Sequence, residues 1–105
     1  MNTWLKVCAF DEIPQQGARV VRHDGEDIAV FRTAKNEVFA LRDKCPHKGG
    51  QLSQGIVFEN KVSCPMHGWQ LYLENGEAVA PDEGCARRFP IKLEDGTVYL
   101  QLGSN

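Results

Sequence analysis

The chain has 105 residues, 42% of them hydrophobic, and a formal net charge of −2. That length suits one modest domain and is too short for two independent cores, while the near-balanced charge gives no global signal for nucleic acid or an anionic membrane. No apolar run approaches the roughly 20 residues needed to cross a bilayer, and the start, Met1 to Lys6, lacks the basic and apolar layout of a signal peptide, so a cytoplasmic protein is expected.

In chain order the pattern is all-β. Strands are predicted at Trp4–Ala9, Ala18–His23, Asp27–Thr33 and Glu37–Arg42, with turns at Asp24-Gly25 and Lys35-Asn36. Cys8, inside the first strand, reads as core packing, and His23, beside a turn, as a surface residue. The middle of the chain, from about Asp43 to Pro81, is rich in Gly and Pro. It holds shorter strand-like pieces at Gly55–Phe58, Lys61–Cys64, Trp69–Leu73 and Glu77–Val79, with turns at Glu59-Asn60 and Glu74-Asn75-Gly76. Period-two alternation is clearest at the end. Phe89, Ile91 and Leu93 alternate with polar or small neighbours, as do Val98, Leu100 and Leu102, and Glu94-Asp95-Gly96 marks a hairpin turn between them. Short strands at this spacing predict a sandwich or barrel. No stretch has a helical period.

Four residues in the middle segment carry the chemistry: Cys45 and His47 in C-P-H, then Cys64 and His67 in C-P-M-H. Two cysteines and two histidines suit a tetrahedral zinc site. They also suit a [2Fe–2S] cluster in which two imidazoles replace two thiolates on one iron. Zinc fingers commonly put both cysteines on one element and both histidines on another. Here each loop supplies one of each, as needed if each loop is to span two irons. The chain offers no nucleotide-binding glycine motif, no nucleophile-and-base arrangement and no mononuclear iron site. No catalytic residue is expected, and the cluster reading makes the chain an electron carrier.

The motifs Cys45-Pro46-His47-Lys48-Gly49-Gly50 and Cys64-Pro65-Met66-His67-Gly68-Trp69 resemble the Rieske family, and the resemblance covers nearly the whole chain. It implies a [2Fe–2S] cofactor with Cys45, His47, Cys64 and His67 as ligands, the cysteines on the inner iron and the histidines on the outer. It also implies a single Rieske domain over 1–105: an antiparallel β-sandwich at about 1–42 and 82–105, with a small cluster-binding β subdomain inserted at about 43–81. Pro46 and Pro65 would stiffen the loops, and Gly49, Gly50 and Gly68 would let backbone amides approach sulfur or simply satisfy turn geometry. High-potential members carry an extra cysteine in each loop, and hydroxyl residues where this chain has Trp69 and Leu71. The disulfide and both hydroxyls are missing here, so a potential near the low end of the range is expected. The family's third loop, which covers the cluster, would contain Pro81. Lys44, Lys48, Arg87 and Arg88 read equally as a basic collar that steers a partner or as solvated surface charge. Cys85 lies in a loop-like stretch.

The runs Cys45 to Val57 and Gly76-Glu77-Ala78-Val79-Ala80-Pro81-Asp82-Glu83-Gly84-Cys85 are similar to the small subunit of assimilatory NAD(P)H-dependent nitrite reductase. That resemblance implies, as partner, a large subunit with flavin, an iron–sulfur cluster and sirohaem, and a place in nitrate assimilation. The alternative is a Rieske ferredoxin that serves an aromatic-ring dioxygenase or related oxygenase and its reductase. Neither reading involves nucleic acid or a membrane.

Overall fold

A computed structural model describes residues 4–23, 25–45, 50–65, 68–80 and 83–101. Among these residues nine strands occur, in the order β1 (Trp4–Ala9), β2 (Gly17–His23), β3 (Glu26–Arg32), β4 (Val38–Arg42), β5 (Ile56–Phe58), β6 (Lys61–Ser63), β7 (Gln70–Tyr72), β8 (Ile91–Glu94) and β9 (Thr97–Gln101). They form three antiparallel three-stranded sheets, β1-β9-β8, β2-β3-β4 and β5-β6-β7. Among the described residues the only helical pieces are single 3-10 turns at Phe10–Glu12 and Leu52–Gln54. None is long and apolar enough to cross a membrane. The fold is all-β and antiparallel, as the sequence pattern predicts.

β3 explains how the sheets are held together. Its run Ile28-Ala29-Val30-Phe31 is fully buried. Successive strand side chains point to opposite faces. Accordingly Ile28 and Val30 join one apolar cluster, with Cys8, Ile13, Phe89, Val98 and Leu100. Ala29 and Phe31 join a second, with Leu41, Leu52, Val57, Val62, Leu71 and Leu73. The central sheet is therefore covered on both faces, which is why β3 reads as a continuous apolar run and not as an alternating one. β4 follows the same rule, with Ala40 in the first cluster and Leu41 in the second.

Tight turns set the register. β8 and β9 close at Glu94↔Thr97 through Asp95 and Gly96, both with positive φ (52° and 76°). That is the type I′ geometry, whose twist matches the flanking strands. β5 and β6 also close through two residues at Phe58↔Lys61, of which only Glu59 has positive φ (51°). Between β3 and β4 the buried Thr33 hydroxyl accepts the amides of Lys35 (3.3 Å) and Glu37 (3.1 Å), so a side chain organises that turn. β1 pairs with β9 across a bulge between Lys6 and Cys8, tying the two ends of the chain together.

One expectation needs correcting. Glu77–Val79 is not a strand: it makes isolated bridges, Leu71↔Ala78 and Glu77↔Cys85, because its partners lie on two different segments. Arg87, one of the candidate collar residues, is exposed and ion-paired. It lies 3.6 Å from the Glu26 carboxylate, which also takes Arg42 at 3.5 Å, and its guanidinium stacks 4.9 Å from the Phe89 ring centre. Lys44 and Arg88 are exposed. Lys48, Asp24 and Leu102 lie outside the described residues.

Candidate metal centre

Cys45 follows the end of β4, and Cys64 follows the end of β6. Both are unbridged and buried, at 2% and 1% exposure. They belong to one apolar cluster, packed with Leu52, Val57, Val62 and Leu71. The strands thus bring two thiols from distant parts of the sequence to one place. His47 and His67, together with Pro46, Gly49 and Met66, lie outside the described residues. Among the described residues no three metal-binding side chains gather.

The two cysteine loops are closed in the same way. The Cys45 amide donates to the Gly50 carbonyl at 2.7 Å, and the Cys64 amide donates to the Trp69 carbonyl at 2.6 Å. Each loop is a stem whose first rung is the cysteine itself, so each thiol is fixed at the loop's base. In the second loop the next rung is an ordinary strand pair, Ser63↔Gln70. Gly68 there has φ +69°, a conformation that side chains with a Cβ rarely adopt, so the turn favours glycine.

The first loop has no strand pair below it, because Gln51 leads directly into the 3-10 turn Leu52–Gln54. A side chain takes the place of the rung. One Asp43 carboxylate oxygen accepts the Ser53 amide and the other accepts the Ser53 hydroxyl, both at 2.7 Å. Asp43 is buried, and its own amide donates to the Asp27 carbonyl at the start of β3. Sequence reasoning missed this pair. Its members are ten residues apart with no periodicity between them, and only the path of the loop brings them together. The sole signal was an acidic residue at the end of an apolar strand, immediately before Lys44-Cys45.

The third loop is a stem as well. Ala86 donates to the Gly76 carbonyl (2.8 Å), Glu77 bridges Cys85, and Ala78 donates to the Gly84 carbonyl (2.9 Å). Gly76 has φ +75°, and a Cβ there would overlap the Ala86 carbonyl oxygen. The Val79 amide donates to the Gln70 carbonyl at 2.9 Å, which sets this loop beside β7 and the second cysteine loop. Pro81, expected at its tip, lies outside the described residues, and Cys85 is exposed.

The Rieske [2Fe-2S] domain model matches residues 3–90. The 3-phenylpropionate/cinnamic acid dioxygenase ferredoxin subunit of Photorhabdus laumondii is 35% identical over 100 residues, covering 93% of this chain and 93% of its own. A chain from the complex of oxygenase and ferredoxin in carbazole 1,9a-dioxygenase superposes with TM-score 0.82 at 28% identity, covering 93% of this chain and 92% of its own. A protein assigned as the small subunit of NADH-dependent nitrite reductase from Mycobacterium tuberculosis superposes with TM-score 0.88 over 100% of this chain and 99% of its own, at 21% identity, a likeness of fold alone. A Rieske domain carries a [2Fe–2S] cluster, and the residues present fit one. Thiolates buried in apolar surroundings are costly unless a metal takes up their charge, and Cys45 and Cys64 are two unbridged thiols in such surroundings.

Proposed function

The chain belongs to the Rieske [2Fe–2S] family, and from that premise we propose that it is the electron-transfer subunit of an NAD(P)H-dependent nitrite reductase. In this reading Cys45 and Cys64 hold the inner iron and His47 and His67 the outer one. The segment 43–81 holds the cluster, while 1–42 and 82–105 form its base. The bound cluster supplies one-electron chemistry. The protein's own residues fix the thiols, exclude water with Leu52, Val57, Val62 and Leu71, and bring the third loop alongside. No residue of this chain acts on nitrite. The partner is a cytoplasmic large subunit with flavin, an iron–sulfur cluster and sirohaem, where nitrite becomes ammonia.

The observation that carries this reading is the run Gly76 to Cys85. It resembles the nitrite reductase small subunit, and its described residues on either side of 81–82 pair as the third stem, with glycine at a position that admits no other residue without displacement. A second reading is supported by the 35% identity with a dioxygenase ferredoxin along nearly the whole chain. There the same site would pass electrons from a reductase to an oxygenase.

Affinity purification of the tagged full chain from its native host separates the two. Co-purification of a sirohaem-containing flavoprotein, and nitrite reduction by NAD(P)H that depends on adding this chain, are the expected outcomes. Recovery of an oxygenase or its reductase with no sirohaem protein would overturn the first reading in favour of the second.

A further inference from the structure

We propose that Asp43 and Ser53 are positioning residues for the first cysteine loop, a side-chain latch that replaces a missing rung of β-ladder and places a buried negative charge beside the cluster. This rests on the ligand assignment proposed above. Three observations carry it. The loops built on Cys45 and Cys64 share the same first rung, from the cysteine amide to the carbonyl of Gly50 or Trp69. Below that rung the second loop is held by the strand pair Ser63↔Gln70, while below Cys45 the chain turns away into the 3-10 turn Leu52–Gln54. There Asp43 accepts both Ser53 donors at 2.7 Å, is itself buried, and is anchored by its amide to Asp27.

Both carboxylate oxygens are used, so the hydrogen bonds are charge-assisted and stronger than neutral ones. Their effect on Cys45 is geometric. With the latch closed, the chain leaving the loop is held against the chain entering it, and the thiol keeps one position. With it open, the Cys45–Gly50 rung alone closes the loop. The charge has a separate consequence. Two residues span at most about 7 Å of backbone, so a cluster held by Cys45 would feel the Asp43 carboxylate at short range. A nearby negative charge opposes the arrival of an electron. At about 10 Å in an effective dielectric of about 20, one unit charge shifts an equilibrium by roughly one power of ten.

The two effects separate in variants of the full chain loaded with its cluster. Ser53→Ala removes one hydrogen bond and keeps the charge, Ser53→Thr keeps the hydroxyl, and Asp43→Asn removes the charge but leaves an oxygen for the Ser53 amide. The readouts are the half-life of the cluster in the presence of an iron chelator, the reduction potential, and the circular dichroism of the cluster-free chain. Ser53→Ala is expected to shorten the half-life about tenfold, on the scale seen when a residue supporting a metal ligand is lost. Ser53→Thr should stay within about twofold of the parent. Asp43→Asn should raise the potential, with an approximately tenfold change in the ratio of reduced to oxidised protein, equivalent to 59 mV for one electron. An unchanged half-life in Ser53→Ala, or equal loss in Ser53→Ala and Ser53→Thr, overturns the latch. An unchanged potential in Asp43→Asn overturns the electrostatic part. Should Asp43→Asn fail to fold by circular dichroism, the two Ser53 variants decide the latch alone. Cys45→Ser, run alongside, tests the assignment beneath it: a retained two-iron spectrum there would remove the ligand reading whatever the latch variants do.

Discussion

Cys8 and Cys85 carry the same thiol into opposite surroundings. Cys8 sits on β1 among Ile28, Val30, Phe89, Val98 and Leu100. Burial pushes its thiol above the ordinary value of 9.0; the Arg19 charge pulls the other way and the Glu12 charge adds to the rise. Cys85 is exposed on the third stem. The thiolate is the species that reacts. Iodoacetamide at pH 8 should therefore modify Cys85 within minutes and leave Cys8 untouched until denaturant is added; mass spectrometry of peptides from the native protein checks it, and early labelling of Cys8 would refute it. The same shift acts on stability. A raised folded value means that above pH 9 the folded state holds a proton that the unfolded state has released. The Cys8 contribution is present below about pH 9 and falls as pH rises from there toward the raised value. The sequence made Cys8 legible, because a cysteine inside a largely apolar strand-like run has few other uses. It did not make Asp43 and Ser53 legible, because a hydrogen bond between side chains across a loop leaves no period to read.

At the scale of elements, strands were readable wherever one face is buried. β1 begins and ends as the alternation predicts, and β2 to β7 and β9 shift by a residue or two. The failure at Glu77–Val79 has a physical reason. That segment shares its hydrogen bonds between β7 and residues 84–86, and a sequence pattern cannot show which of two neighbours a polar segment will choose. Glycine was the better guide there. Gly76 and Gly96 have nearly the same φ, +75° and +76°. Around Gly96 nothing stands within 4 Å of a built Cβ, whereas at Gly76 the Ala86 carbonyl and the Leu41 side chain occupy the space. Gly96→Ala should cost only the penalty for left-handed backbone, about 1 kcal/mol. Gly76→Ala adds displacement of the third stem, and about 3 kcal/mol is expected. For a chain of this size, 1 kcal/mol is worth roughly 4–8 °C in Tm. Thermal melts of the two variants should therefore differ by about 10 °C, and equal shifts would mean that the third stem yields freely.

At the scale of the whole molecule, the sheets decide what surrounds the cluster, and through that its potential. Hydrogen-bond donors aimed at the iron-bound sulfurs stabilise the reduced state, and so do fewer negative charges nearby. Neither position that bears a hydroxyl in high-potential relatives offers one here. Leu71 is fully buried on β7, facing the same apolar cluster as Cys45 and Cys64. Trp69 packs against that cluster and gives its carbonyl, an acceptor, to the Cys64 amide. No disulfide braces the loops, since the described cysteines form none. The buried Asp43 carboxylate adds negative charge near the first loop. All four features act in the same direction. Rieske centres span about −150 to +300 mV, and this one should lie near the low end of that span, with about +100 mV as the limit that would overturn the expectation. Protein-film voltammetry of the loaded chain at neutral pH measures it directly. A midpoint above that limit would mean that backbone amides of the two loops supply the stabilisation withheld by Trp69 and Leu71. In that case Leu71→Tyr, which brings a hydroxyl back toward the second loop, should move the potential little; with a low midpoint it should move it upward.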